Sequence, residues 1–173
     1  MNMWITIVDK EVDNVKIQLL TVGKCKEKYI LTGIAEFEKR LQTDVKFEII
    51  EVADEKAPER LSDKEMNHVK QKEGERLLHK IKPQSYVVAL ERQGKMIDST
   101  ALANKIQQLT TYGTSDFTFI IGGSLGLSED VRSRADYEWS FSPLTFPHQL
   151  MRLMVTEQIY RAVQINKGTP YHK

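Results

Sequence analysis

Two short stretches hold the residue types that could do chemistry. The first is Gly122-Gly123-Ser124-Leu125-Gly126, which directly follows the run Phe117-Thr118-Phe119-Ile120-Ile121. A β-branched and aromatic run of that kind predicts a buried parallel strand. Glycines at its carboxyl end let backbone amides approach a ligand and let φ turn positive, which makes the loop a candidate binding site. The second stretch, Ser140-Phe141-Ser142-Pro143-Leu144-Thr145-Phe146-Pro147-His148, leads from a strand into a long apolar helix, with Pro147 suited to the first helical position. The expectation is that the two loops meet over one ligand.

Three chemistries compete for the glycine loop. Gly122 to Gly126 satisfies G-x-S-x-G, so Ser124 is a candidate hydrolase nucleophile, with Asp130 or Asp136 and His148 or His172 completing the chain order. Against it, the chain is small for that fold, and the next helix begins only after Gly126-Leu127-Ser128, which leaves no sharp strand-to-helix turn. A dinucleotide fingerprint needs a different glycine spacing. A P-loop is excluded because no Gly-Lys-Ser/Thr follows the glycines.

The elements that must position these loops follow from the rest of the chain. At 173 residues, with 40% apolar and 28% charged content and a net charge of +1, the sequence suits one globular domain. No apolar run approaches the ~20 residues that span a bilayer. The lone Cys25 forms no internal disulfide and lies in a lysine-rich segment, which predicts a reducing, cytoplasmic setting and argues against a metal site. Val15 to Leu20 reads as a first strand closed by a turn at Val22-Gly23, and Ile30, Ile34, Phe37 and Leu41 make one helical stripe. Val45 to Val52 is a second strand.

Ser62-Asp63-Lys64-Glu65 has capping-box spacing and opens a long helix with Met66, Val69, Leu77, Leu78 and Ile81 inward. Between Glu51 and Lys82 stand eight acidic and eight basic residues, the balance of a solvated face. Tyr86 to Leu90 is a third strand, followed by a turn at Arg92 to Lys95. Leu102, Ile106 and Leu109 mark another helix. Phe117 to Ile121, Glu129 to Arg134 and Tyr137 to Phe141 complete a strand, a short helix and a strand. The last helix, from about Pro147 to Asn166, is apolar on more than one face, which calls for a second partner surface, most simply another copy of the chain. Strands alternating with helices predict an α/β domain with a mostly parallel sheet.

From Val15 to Lys173 the chain resembles the ribosomal RNA large subunit methyltransferase H family, a small branch of the SPOUT (trefoil-knot) methyltransferases. The resemblance rests on Val22-Gly23-Lys24, Glu55-Lys56-Ala57, Ile121-Gly122-Gly123-Ser124 with Gly126, Phe141-Ser142 with Thr145-Phe146-Pro147-His148, Glu157 to Ala162, and Tyr171-His172. It implies a five- to six-stranded, mostly parallel sheet with a C-terminal trefoil knot in one domain, residues 15–173. The implied activity is methyl transfer from S-adenosylmethionine to N3 of a pseudouridine in helix 69 of bacterial 23S rRNA, by a homodimer acting on the assembled 70S ribosome. Members of the family begin at the position of Val15, and a GTG start codon read internally gives valine. Residues 1–14 are therefore expected to reflect a start site placed too far upstream.

Carried over by position, the resemblance assigns the donor to Leu90, Gly122 and the segment Phe141, Ser142, Pro143, Leu144, Thr145 and Phe146. Leu90, Leu144 and Phe146 suit an adenine slot, with backbone groups reading its polar edge. Methyl transfer also requires the target nitrogen to lose a proton, so a base or anion-stabilising group is expected near the methyl. The candidates are His172 first, then Arg152 for charge neutralisation or phosphate, and Tyr171 and His148. Arg152, Arg161, Lys167 and Lys173 against Glu157 form one expected phosphate patch, and Lys24, Lys26 and Lys28 a second. The rival outside catalysis is a ribosome-binding or assembly factor that kept the fold; the intact glycines and Phe141 to Phe146 argue against it.

Overall fold

The computed structural model describes residues 15–173, and the proposed extension of residues 1–14 lies outside them. Strands β1 (Lys16–Val22), β2 (Lys46–Val52), β3 (Tyr86–Met96), β4 (Asp116–Ile121) and β5 (Tyr137–Ser140) are separated by helices α1 (Lys28–Leu41), α2 (Asp63–Leu78), α3 (Ser99–Thr111) and α4 (Glu129–Arg134), with α5 (His148–Lys167) last. The sheet order is β2-β1-β4-β3-β5, and every neighbouring pair is parallel. All strand carboxyl ends therefore lie along one edge. The chain runs outward from β1 to β2 on one side and places β4 and β3 on the other, so β1 and β4 flank the switch point where such sheets bind ligands.

The two-residue period of each strand divides the core into two layers. Ile17 and Leu19 of β1, Phe117 and Phe119 of β4 and Val88 of β3 pack with Leu102, Ile106, Val155 and Ile159 of α3 and α5. Leu20, Val22, Ile120, Val87 and Ala89 face the other way, toward Leu77 of α2 and Val131 of α4. The predicted cap of α2 is present, since the Glu65 backbone N–H donates to Ser62 Oγ at 3.2 Å.

Three expectations are modified. The turn expected at Arg92 to Lys95 is a bulge inside a longer β3, because Leu90 and Lys95 both lie opposite Trp139. Gly94 permits this, as a Cβ there would stand 2.7 Å from the Glu138 backbone carbon. Pro147 is the N-cap of α5, one position before the first helical residue. Finally, much of the extra apolar surface of α5 finds partners within the chain. Gly33 lets α1 approach so closely that an added Cβ would sit 2.9 Å from Leu153 Cδ1, and α3 is tied to α5 by Ser99 Oγ donating to Gln158 Oε1 at 2.6 Å.

The α2–α4 contact depends on Gly74, where a Cβ would overlap Ser128 Oγ, the hydroxyl that caps α4, and approach Val131 Cγ2 to 3.3 Å. Gly74→Ala is expected to cost about 1–3 kcal/mol of overpacking, read as a lower urea midpoint with the denaturant slope unchanged.

Candidate active site

The glycine loop after β4 turns tightly: the Gly126 N–H donates to Gly123 O at 3.0 Å, and Gly126 has φ +89°. A Cβ on Gly122 would lie 2.8 Å from the Gly126 backbone carbon, so only glycine lets the loop close on itself. The loop after β5 is held by its own hydroxyls. Leu144 N–H donates to Ser142 Oγ at 3.0 Å, and Ser140 Oγ donates to Arg92 O at 2.9 Å. Arg92 in turn reaches Thr145 Oγ1 at 3.2 Å, joining the extension of β3 to the same loop.

These segments enclose a cleft of about 610 Å³ lined by Leu90, Gly122, Phe141, Ser142, Leu144, Thr145 and Phe146. Pro143 is exposed and outside the lining. Among the lining residues not anticipated are Glu91, Arg92, Trp139 and Met151. Burial pushes the Glu91 carboxyl above the ordinary carboxylate range, with Arg132 opposing. Trp139 lies against Phe141, ring centroids 4.7 Å apart, and its buried Nε1–H has no partner among the described residues. Apolar walls with charged groups at Glu91 and Arg92 suit a ligand that combines a flat heterocycle with polar or charged groups. The signal for Glu91 was present in the sequence, since it directly follows Leu90 at the strand end.

A second cavity of about 570 Å³ opens beside the first at the β1–β4 switch point. The two share Gly123, Ser124 and His148. Burial, and then the charge of Arg152, holds the His148 imidazole below its ordinary pKa, so its ring is neutral at pH 7. Lys24 and Lys26 line this cavity, are exposed, and form no ion pair among the described residues.

Arg152 does not do what its sequence position suggested. It is 2% exposed, and its guanidinium donates to Glu51 Oε2 at 2.6 Å and to the carbonyls of Val22 and Gly23 at 2.7 and 2.9 Å. A buried cation committed to three acceptors has no free edge for a phosphate or a developing anion. The neighbouring basic residues are engaged too: Arg161 donates to Glu157, and Lys167 to Asp44. Of the basic residues expected to form a phosphate patch, Arg152 is buried, Arg161 and Lys167 form solvent-accessible ion pairs, and Lys173 is exposed.

The carboxyl-terminal tail docks on α5. Tyr171 Oη donates to Glu157 Oε1 at 2.9 Å, its ring meets Tyr160, and His172 Nδ1 lies 3.1 Å from an Arg161 nitrogen. Tyr171 and His172 therefore sit together, apart from the lining of both cavities. The hydrolase arrangement is not assembled. Asp136 accepts from the Val87 N–H near the start of β3, and no hydrogen bond joins Ser124 to a histidine among the described residues.

The profile of a family described as "Predicted SPOUT methyltransferase" matches residues 15–172. The chain is similar to a ribosomal RNA large subunit methyltransferase H of Latilactobacillus sakei subsp. sakei (strain 23K), 61% identical over 157 residues that cover 91% of this chain and 99% of that one. Among solved structures it is similar in fold to a probable methyltransferase from Bordetella pertussis Tohama I, with a TM-score of 0.53 and 12% identity over 88% of this chain and 96% of that one.

Replacing the buried guanidinium, Arg152→Leu, strands two carbonyls and a carboxylate and is expected to cost about 2–4 kcal/mol, measured by urea unfolding. For His148 the sign follows from its lowered pKa. The unfolded chain binds the proton more readily, so stability falls as pH drops from about 6.5. In His148→Gln the loss of melting temperature between pH 7 and 5 is expected to be smaller than in the wild type.

Proposed function

The chain belongs to the SPOUT methyltransferase family, and from that membership we propose that it transfers a methyl group from S-adenosylmethionine to N3 of a pseudouridine in helix 69 of bacterial 23S rRNA. It acts as a cytoplasmic homodimer on the assembled 70S ribosome. The observation that carries the reading is the meeting of the loops after β3, β4 and β5 over one cleft, which borders a second cavity at Gly123, Ser124 and His148. The relative named ribosomal RNA large subunit methyltransferase H, matched over 99% of its length, supports the substrate class.

Each residue of the cleft then has a task. Leu90, Leu144 and Phe146 offer apolar surface to an adenine ring, and Glu91 offers negative charge to a cationic ligand. When bound, S-adenosylmethionine supplies an electrophilic methyl on a positively charged sulfur. The tight turn of Gly122 to Gly126 fixes one wall, so that positioning lowers the barrier. His148, neutral at pH 7 and lining both cavities, is placed to take the N3 proton. Tyr171 and His172, held by Glu157 and Arg161, are second candidates for orienting the base. Arg152 is a positioning residue that acts through the backbone of Val22 and Gly23.

Lys24 and Lys26 at the rim of the second cavity suit RNA phosphates, a contact that weakens steeply with salt. Homodimer formation is supported by Tyr29 and Leu31 on α1, which are 66% and 45% exposed beside α5. The trefoil knot implied by the sequence resemblance belongs to the same reading.

The test is incubation of undermethylated ribosomes with isotopically labelled S-adenosylmethionine, followed by digestion and mapping of the 23S rRNA. One labelled methyl on a helix 69 pseudouridine is the expected result, and a methyl on N3 also halts reverse transcription there. Label confined to another nucleotide, or none, would overturn the reading.

A further inference from the structure

Of the two buried acids among the described residues, Asp116 is paired with Lys82 and Glu73 has no such partner. Glu73, on the inner face of α2, is 5% exposed and forms no ion pair among the described residues. Its Oε2 accepts the Glu55 N–H at 3.0 Å. No hydrogen bond reaches Oε1 among the described residues, and this oxygen faces the glycine loop, where a Cβ on Gly123 would stand 3.0 Å away. Burial pushes the carboxyl above the ordinary range, partly offset by the Glu55 N–H. An unpaired buried carboxyl weakens a fold that an apolar residue of the same volume would serve better. It lines the 570 Å³ cavity, whose wall of Gly123, Ser124 and His148 is shared with the donor cleft.

We propose that this cavity receives the target base and that Glu73 Oε1 accepts the N1–H of pseudouridine, making Glu73 the residue that distinguishes pseudouridine from uridine. The inference rests on the function proposed above and names the substrate determinant of that site. The ring chemistry fits the two-walled cavity. Pseudouridine is joined to its ribose through C5, and the atom across the ring is C2, flanked by N1–H and N3–H. A base entering with C2 leading carries N3–H on one flank and N1–H on the other, so a base held at N1 by Glu73 keeps N3 free for the donor, while the ribose stays near the exposed Lys24 and Lys26. Uridine, joined through N1, enters with C4 leading and presents N3 on one flank and C5–H on the other. Glu73 then loses a partner while buried. A site built around an N–H rejects an analogue that lacks it far better than an apolar pocket rejects a methylene.

The experiment compares initial methylation rates on ribosomes that carry pseudouridine or uridine at the target position, for the wild type, Glu73→Gln and Glu73→Met. In Glu73→Gln the one remaining acceptor is held by the Glu55 N–H, which turns a donor toward N1. The pseudouridine rate is expected to fall at least about tenfold in both variants while the uridine rate changes less than about twofold. Melting temperature and S-adenosylmethionine affinity should stay near wild type, responses that a merely structural role would not leave intact. A second arm is independent of any substitution. The wild type should methylate ribosomes reconstituted with N1-methylpseudouridine no faster than those with uridine. An unchanged pseudouridine-to-uridine ratio in folded variants, or N1-methylpseudouridine used as well as pseudouridine, overturns the inference alone. Failure of the wild type on pseudouridine ribosomes overturns the proposed function and this inference with it.

Discussion

The ends of β1 and β2 and the first turns of α5 are held together by one guanidinium. Arg152 is 2% exposed, reaches Val22 O, Gly23 O and Glu51 Oε2, and leaves only its Nε–H without a partner among the described residues. A buried cation is expensive unless its donors are matched, so the geometry of these acceptors is strongly constrained. The same Glu51 oxygen accepts the Cys25 N–H at 2.8 Å, and Gln149 Oε1 accepts the Lys26 N–H at 3.2 Å. The segment that carries Lys24 and Lys26 is therefore fixed by α5, the helix that also supplies His148. Arg152 thus helps to hold the segment that carries these two exposed lysines.

Close backbone approach is the second constraint. Gly122 admits no Cβ because the Gly126 backbone is in its place, and Gly123 admits none without pressing on Glu73. The two cavities then meet along the glycine loop, at Gly123, Ser124 and His148, and methyl transfer needs its two reactants in direct contact. Glu91 lies in the donor cleft and Glu73 in the neighbouring cavity. Both have raised pKa values from burial, which is a cost to the fold that their positions in the cavities account for.

Charge on the surface of α5 is arranged in pairs. Arg161 is matched by Glu157 on the preceding turn, and Lys167 by Asp44. Glu157 also accepts from Tyr171, so a single carboxylate both neutralises a helix cation and docks the tail. The chain end is ordered by specific contacts with Tyr160 and Arg161.

The strands, the helices, the α2 cap and the positions of the loops after β4 and β5 were legible in the sequence because each depends on local periodicity, capping chemistry or glycine placement. Leu90, Gly122 and most of Phe141 to Phe146 were legible through resemblance, and the structure brings them to one cleft. What the sequence could not decide is which charged residues are buried. Glu73 lies in a segment with equal numbers of acids and bases that reads as a solvated face, and Arg152 lies on a helix that reads as a basic patch. Burial is set by elements distant in the chain: the glycine loop covers Glu73 from 50 residues away, and β1 supplies carbonyls to Arg152 from 130 residues away. Local sequence fixes a side chain's phase on its helix. Only the packing of non-local elements fixes whether water or a carbonyl meets it there.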